Sequence, residues 1–124
     1  MSGLSILIID DDPEFPRLLG LMLGDEDFSI TTTHDGEEGI RRCKEEAPDM
    51  VIVDASMPGI DGWEFTRRIR SSPNGVGSVP IIMLTGFADE KSQRQAYEVG
   101  VDLYLTKPIF RDALVLAINQ VLGR

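Results

Sequence analysis

The sequence predicts an α/β protein: one domain over residues 1–124, with five strands alternating with five helices in a mostly parallel, doubly wound sheet. The first observation behind this is the order of the elements, since strand and helix patterns alternate along the whole chain. The second is that Ile6 to Ile9, Val51 to Val53 and Ile81 to Leu84 are apolar on both faces. Strands of that kind need a helical layer on each side of the sheet.

The first strand, Leu4 to Ile9, runs into Asp10-Asp11-Asp12. Asp12 is the expected N-cap of the next helix, and both Pro13 and Pro16 fall near its first turn, where proline is tolerated. Phe15, Leu18, Leu19, Met22 and Leu23 follow at helical spacing, and Gly24 stops the run. Phe28 to Thr33 is a β-branched second strand, with a turn at His34-Asp35-Gly36. The second helix carries Ile40, Cys43 and Ala47 on one face before Pro48 breaks it.

The third strand, Val51 to Val53, ends at a lone carboxylate, Asp54, and Met57-Pro58-Gly59 then turns the chain. Asp61 is placed to cap the helix that begins near Gly62 and buries Phe65 and Ile69. A loop from Ser71 to Ser78 leads to the fourth strand, Pro80 to Leu84. Ala88 to Val99 is a weakly amphipathic helix closed by Gly100, and Leu103 to Leu105 is the fifth strand. The last helix has the clearest stripe: Ala113, Leu114, Ala117, Ile118, Val121 and Leu122.

Composition narrows the function. A net charge of −9 argues against direct nucleic-acid binding, which needs clustered cations. Arg67, Arg68 and Arg70 do cluster, but beside Glu64 they read as a solvated helix face. Cys43 is the only cysteine, so an internal disulfide and a thiolate zinc site are both excluded. No apolar run is long enough to span a bilayer and Met1-Ser2-Gly3 opens no signal peptide, so the expected location is the cytoplasm, with no membrane partner.

Right-handed crossovers bring the carboxyl ends of all parallel strands to one edge, where open α/β sheets bind ligands. The residues just past the strands, Asp10 and Asp11, Asp54, Thr85 and Lys107, are therefore expected to share one site. His34 is assigned to a turn on the opposite edge and rejected as a ligand or phosphodonor.

With these residues in order, the chain resembles the receiver domains of two-component response regulators. The resemblance rests on the acidic pair after strand one, Asp54 followed by Met57-Pro58 and Asp61-Gly62, Thr85 after strand four, and Tyr104-Leu105-Thr106-Lys107-Pro108. It implies a flavodoxin-like fold with strand order 2-1-3-4-5, an order already exemplified by a member of that family. It also implies that Asp54 accepts a phosphoryl group from a phosphohistidine on a sensor histidine kinase or phosphotransfer protein, in a Mg²⁺-dependent step. Also implied are a Ser56 backbone carbonyl as a metal ligand, a cis Lys107–Pro108 bond aiming the lysine inward, and Tyr104 as a switch aromatic. Phosphorylation would then reshape the surface running from the fourth helix through the last strand to the last helix, to control a downstream protein or output domain. A homodimer through the same face is equally compatible.

The chemistry stands beside the resemblance. Three carboxylates on one edge repel one another unless protonated or neutralised. Mg²⁺ suits such a set, taking one or two carboxylates and keeping several waters. Asp11 and Asp54 would bind it directly, with Asp10 acting through water or orienting a ligand. Lys107 adds a second cation, and Thr85 a hydroxyl donor for a phosphoryl oxygen. Such a domain catalyses at most its own phosphoryl uptake and loss.

Each assignment has a plainer counterpart: Asp54 or Thr85 as an ordinary strand end, Lys107 as a solvated charge, Tyr104 as a half-buried strand aromatic, Cys43 as core, and Trp63 as packing or a fluorescent reporter. The sequence also departs from the family in places. Gly86 stands where an alanine is usual, and Ser56 and Phe87 occupy the variable flanking positions, with Phe87 bulky enough to shield the site. Two other function classes remain. One is a degenerate receiver acting as a constitutive interaction module, which the complete site residues disfavour. The other is a flavodoxin-like enzyme or cofactor binder. A haloacid-dehalogenase-type phosphatase would need Asp where Ser56 stands, and an FMN site would need a phosphate-cradling loop in place of the acidic triplet.

Overall fold

The computed structural model describes residues 3–24, 28–73 and 75–124. Its five strands are β1 (Leu4–Ile9), β2 (Phe28–Thr33), β3 (Met50–Val53), β4 (Ile81–Thr85) and β5 (Leu103–Thr106). They form one parallel sheet in the order β2-β1-β3-β4-β5, as expected. The helices are α1 (Glu14–Met22), α2 (Gly36–Glu46), α3 (Gly62–Arg70), α4 (Glu90–Val99) and α5 (Arg111–Leu122).

The pleat divides the apolar residues between two cores. Leu7, Ile9, Val51, Val53, Ile81 and Met83 face α2, α3 and α4, meeting Cys43, Phe65, Ile69 and Ala96. Ile6, Ile8, Ile52, Ile82 and Leu84 face α1 and α5, meeting Leu19, Leu114 and Ile118. Side chains from β1, β3 and β4 are thus buried on both faces of the sheet, which is why those strands are written as continuous apolar runs.

Several local expectations shift by a residue or a face. Helix α1 is capped from one position earlier than a conventional N-cap: Pro13 takes that place, and the Asp12 carboxylate accepts from the Glu14 N–H at 3.0 Å. Leu18 is 48% exposed, because α1 needs only Leu19, Leu23 and flanking parts of Phe15 and Met22 to cover the sheet. Ala47 leaves the packed face of α2 altogether; it is exposed and ends the helix in the left-handed region, φ 47°. Helix α4 starts at Glu90, capped by Asp89, whose carboxylate accepts from the Ser92 N–H and hydroxyl, both at 2.9 Å. Only Ala96 of α4 is fully buried, in keeping with its weak stripe.

The arginine cluster on α3 splits. Arg67 and Arg68 pair with Glu64 on the exposed face, whereas Arg70 turns to the amino-terminal edge of the sheet. There its guanidinium donates to the carbonyls of Gly100 (2.9 Å), Gly77 (3.0 Å) and Val79 (2.6 Å) and to Asp102 Oδ2 (3.0 Å). Asp102 in turn accepts from the Ile81 N–H at 2.8 Å, so one side chain ties α3, the loop before β4 and the start of β5 together.

Candidate functional site

The ladder continues one residue past the strands, and this places the site. The Asp10 N–H donates to Thr33 O at 3.2 Å, Asp54 N–H to Ile9 O at 3.0 Å, and Lys107 N–H to Thr85 O at 2.7 Å. Asp10, Asp54 and Lys107 are thereby held by backbone hydrogen bonds on the carboxyl edge of the sheet.

The loop after Asp54 must pass close to α3. The Gly62 N–H donates to Ala55 O at 2.8 Å, and a Cβ on Gly62 would fall on the Asp54 carbonyl oxygen and 2.9 Å from Ala55 Cα. Glycine is what permits that approach. Asp61 caps α3 by accepting from the Glu64 N–H at 2.8 Å, as the sequence suggests.

The side chains converge. Carboxylate oxygens of Asp10, Asp11 and Asp54 lie within 4.8 Å of one another. Asp10 is 2% exposed and Asp11 is exposed. Lys107 Nζ sits 2.9 Å from Asp10 Oδ2 and 3.7 Å from Asp54 Oδ2, and the Lys107–Pro108 peptide bond is cis. Asp10 Oδ1 also accepts from the Asp12 N–H at 2.9 Å, so both oxygens of this buried carboxylate are engaged. Burial pushes the Asp54 carboxyl above the ordinary aspartate value, Lys107 pulls it back, Asp10 adds to the rise, and the Thr85 hydroxyl and Ala55 N–H hold it down.

Thr85 is 1% exposed, and its Oγ1 accepts from the Phe87 N–H at 3.4 Å. Tyr104 is directed inward, 7% exposed, and its hydroxyl donates to Phe87 O at 2.5 Å. Burial raises its phenol, with the charges of Asp89 and Asp54 adding to the effect. The Tyr104 N–H donates to the hydroxyl of Tyr97 on α4 at 3.0 Å. Ser56 is exposed on the loop just past Asp54.

This hard, all-oxygen, partly buried donor set beside one ammonium fits a small divalent cation better than a soft transition metal. Residues 6–119 match the family model of the response regulator receiver domain. This chain belongs to that family. The receiver is 36% identical over 119 residues to the transcriptional regulatory protein ResD of Bacillus subtilis, covering 96% of this chain and 48% of that protein. It therefore spans about half the length of that relative. A solved chain from Chloroflexus aurantiacus superposes with a TM-score of 0.93 at 32% identity, covering 99% of this chain and all of the other. The receiver domain of the sensor histidine kinase PA1611 from Pseudomonas aeruginosa superposes at 0.90 with 29% identity, covering 99% and 100%. That structure holds a magnesium ion in its active-site cleft.

The position of His34 differs from the expectation. β2 is parallel to β1, so His34, which follows it, lies on the same carboxyl edge as the site and not on the opposite one. It is exposed, and it is absent from the acidic cluster that the described residues form.

Two contacts beside the receiver site go beyond the sequence expectations. The Phe15 ring lies under Lys107 Nζ, 3.9 Å from its centroid, a cation–π contact that helps fix the ammonium. Phe15 stands in the first turn of α1, three residues after the acidic triplet ends, and that position is the available signal. The second neighbour is the pair formed by Trp63 and Phe87, whose rings stack at 6.2 Å with 10° between their planes. They are 24 positions apart in sequence, and no local pattern links them.

Proposed function

We propose that the whole chain, residues 1–124, is one phosphoaccepting switch. Asp54 takes a phosphoryl group from a phosphohistidine of a sensor histidine kinase or phosphotransfer protein. The observation that carries this reading is the grouping of Asp10, Asp11 and Asp54 within 4.8 Å, with Lys107 Nζ 3.7 Å from Asp54.

An Asp54 carboxylate oxygen attacks phosphorus while the bond to the donor imidazole nitrogen breaks. The electron pair leaves with the imidazole, which takes up a proton, and an acyl phosphate remains on Asp54. A carboxylate is a weak nucleophile, so the site works by orientation and by neutralising charge on the transferring group. Lys107 brings a fixed positive charge, and Thr85 offers its hydroxyl to a phosphoryl oxygen. Asp10, Asp11, Asp54 and the Ser56 backbone carbonyl would hold Mg²⁺. When bound, the ion offsets the clustered carboxylates and the negative charge on the phosphoryl oxygens.

Phosphorylation then reshapes the α4-β5-α5 surface, through Thr85 and Tyr104, to control a downstream protein or output domain. For that to happen, the phosphoryl group must interact more favourably with the second state than with the first. The reading keeps the domain in the cytoplasm, off nucleic acid, and allows homodimerisation through the same surface.

Intact mass after incubation with acetyl phosphate and Mg²⁺ tests this. One added phosphoryl group is expected, lost when Mg²⁺ is withheld and in Asp54→Asn. No gain in the native chain would leave the constitutive interaction module as the reading, and gain that persists in Asp54→Asn would mean another nucleophile.

A further inference from the structure

We propose that Trp63 is a positioning residue for phosphoryl uptake, acting through Phe87 on the hydroxyl of Thr85; the inference rests on the switch function above.

The start of α3 is rigidly related to the phosphoacceptor, because Gly62 abuts the Asp54 carbonyl and donates its N–H to Ala55 O at 2.8 Å. Trp63, the next residue, carries that rigidity outward. Its Nε1–H donates to Ser92 O in the first turn of α4 at 3.2 Å, and its indole stacks on Phe87. The indole thus braces the segment between β4 and α4 from the side of the third helix.

Within that segment, the Gly86-Phe87 stretch lies largely at the surface. A Cβ on Gly86 would meet nothing within 4 Å, and Phe87 is 42% exposed. What fixes Phe87 is its ring against Trp63 and its carbonyl on the Tyr104 hydroxyl. Phe87 in turn governs Thr85, since its N–H occupies a lone pair of Oγ1 at 3.4 Å. The same hydroxyl is a hydrogen-bond partner of Asp54 and helps to hold its carboxyl down, so the setting of this rotor bears on the phosphoacceptor. Loss of the stack would let Phe87 drift and randomise the Thr85 rotor, while Asp10, Asp54 and Lys107, held by the sheet, stay in place.

The experiment measures the rate of phosphoryl uptake from acetyl phosphate by intact mass, across a Mg²⁺ titration. It compares the native chain with Trp63→Leu, Trp63→Phe, Phe87→Leu and the Leu/Leu double variant, each checked for folding by urea denaturation. Trp63→Leu is expected to lower the maximal rate about tenfold, the scale of a modest misplacement of one catalytic group, without moving the Mg²⁺ concentration for half-maximal rate. Trp63→Phe keeps a ring in the stack and restores most of the rate. In the Phe87→Leu background, Trp63→Leu costs nothing further. A Trp63→Leu rate equal to that of an active native chain overturns the inference, as does an undiminished loss in the Phe87→Leu background. If the native chain takes up no phosphoryl group, the proposed function itself fails and the inference falls with it.

Discussion

Replacing Asp54 with Asn should make the metal-free protein more stable, and the structure gives the size of the effect. Carboxylate oxygens of Asp10 and Asp54 are within 4.8 Å, a repulsion of about 3.5 kcal/mol at an effective dielectric of ~20. Lys107 Nζ at 3.7 Å returns about 4.5 kcal/mol on the same scale. The two nearly cancel, and exposed Asp11 in the same cluster adds only a solvent-screened repulsion, so the cost of burying the charge on a side chain that is 12% exposed decides the sign. The raised Asp54 carboxyl, with burial as its first cause, says the same. An isosteric amide removes that cost and the repulsion, and gives up the attraction. The net gain is about 1–2 kcal/mol, or ~4–8 °C in Tm for a chain of this size.

The pH dependence follows from the raised native value. Between the unfolded carboxyl near 3.8 and the higher folded one, the native state binds more protons, so stability falls as pH rises through that window. The advantage of Asp54→Asn is therefore full above the native value and closes as the pH falls towards 3.8. Urea denaturation in EDTA, followed by Trp63 fluorescence from pH 4 to pH 8, measures the gap. Added Mg²⁺ should reverse the order, since a ligand at ~100 times its Kd stabilises by about 2.7 kcal/mol and the variant has lost a ligand. A variant less stable than the native chain at pH 8 without metal, or a gap unchanged by pH, would refute the reasoning.

Gly62→Ala places a methyl group against the Asp54 carbonyl and Ala55 Cα, backbone that cannot yield cheaply. A loss of about 3 kcal/mol or more is expected in urea denaturation, and a loss below about 1 kcal/mol would show that α3 can slide away from the loop. Cys43 is buried, and burial with the nearby Glu46 charge pushes its thiol up to about 12. The unfolded thiol ionises near 9.0, so the native chain's stability relative to Cys43→Ala should fall by up to about 1.4 kcal/mol per pH unit above that value. A relative stability that stays flat to pH 10.5 would contradict that burial.

What the sequence revealed is what depends on local pattern and topology. Runs such as Val51 to Val53 and Ile81 to Leu84 can only be doubly covered strands, and parallel order then sends Asp10, Asp54, Thr85 and Lys107 to one edge. Hidden from it were contacts between side chains far apart in sequence. Arg70 looks like its solvated neighbours until the fold brings three carbonyls to it, and Phe15 looks like core until Lys107 arrives above its ring. His34 is the opposite case, because the parallel pairing of β1 and β2 alone places the turn after β2 on the carboxyl edge. Ala47 is hidden for a local reason, because helical spacing does not say which residue ends the helix in a left-handed conformation.

Tyr97 has a consequence beyond the site. Among the described residues β5 is the last strand of the sheet and its outward backbone donors have no neighbouring strand; an open edge of this kind invites strand addition from another molecule. The Tyr97 phenol from α4 occupies the donor at Tyr104 and acts as a guard on that edge. The guard is mounted on the helix with only one fully buried residue. If α4 swings as the proposed function requires, the Tyr97 hydroxyl leaves with it, and the β5 edge would then be open to strand addition from another molecule.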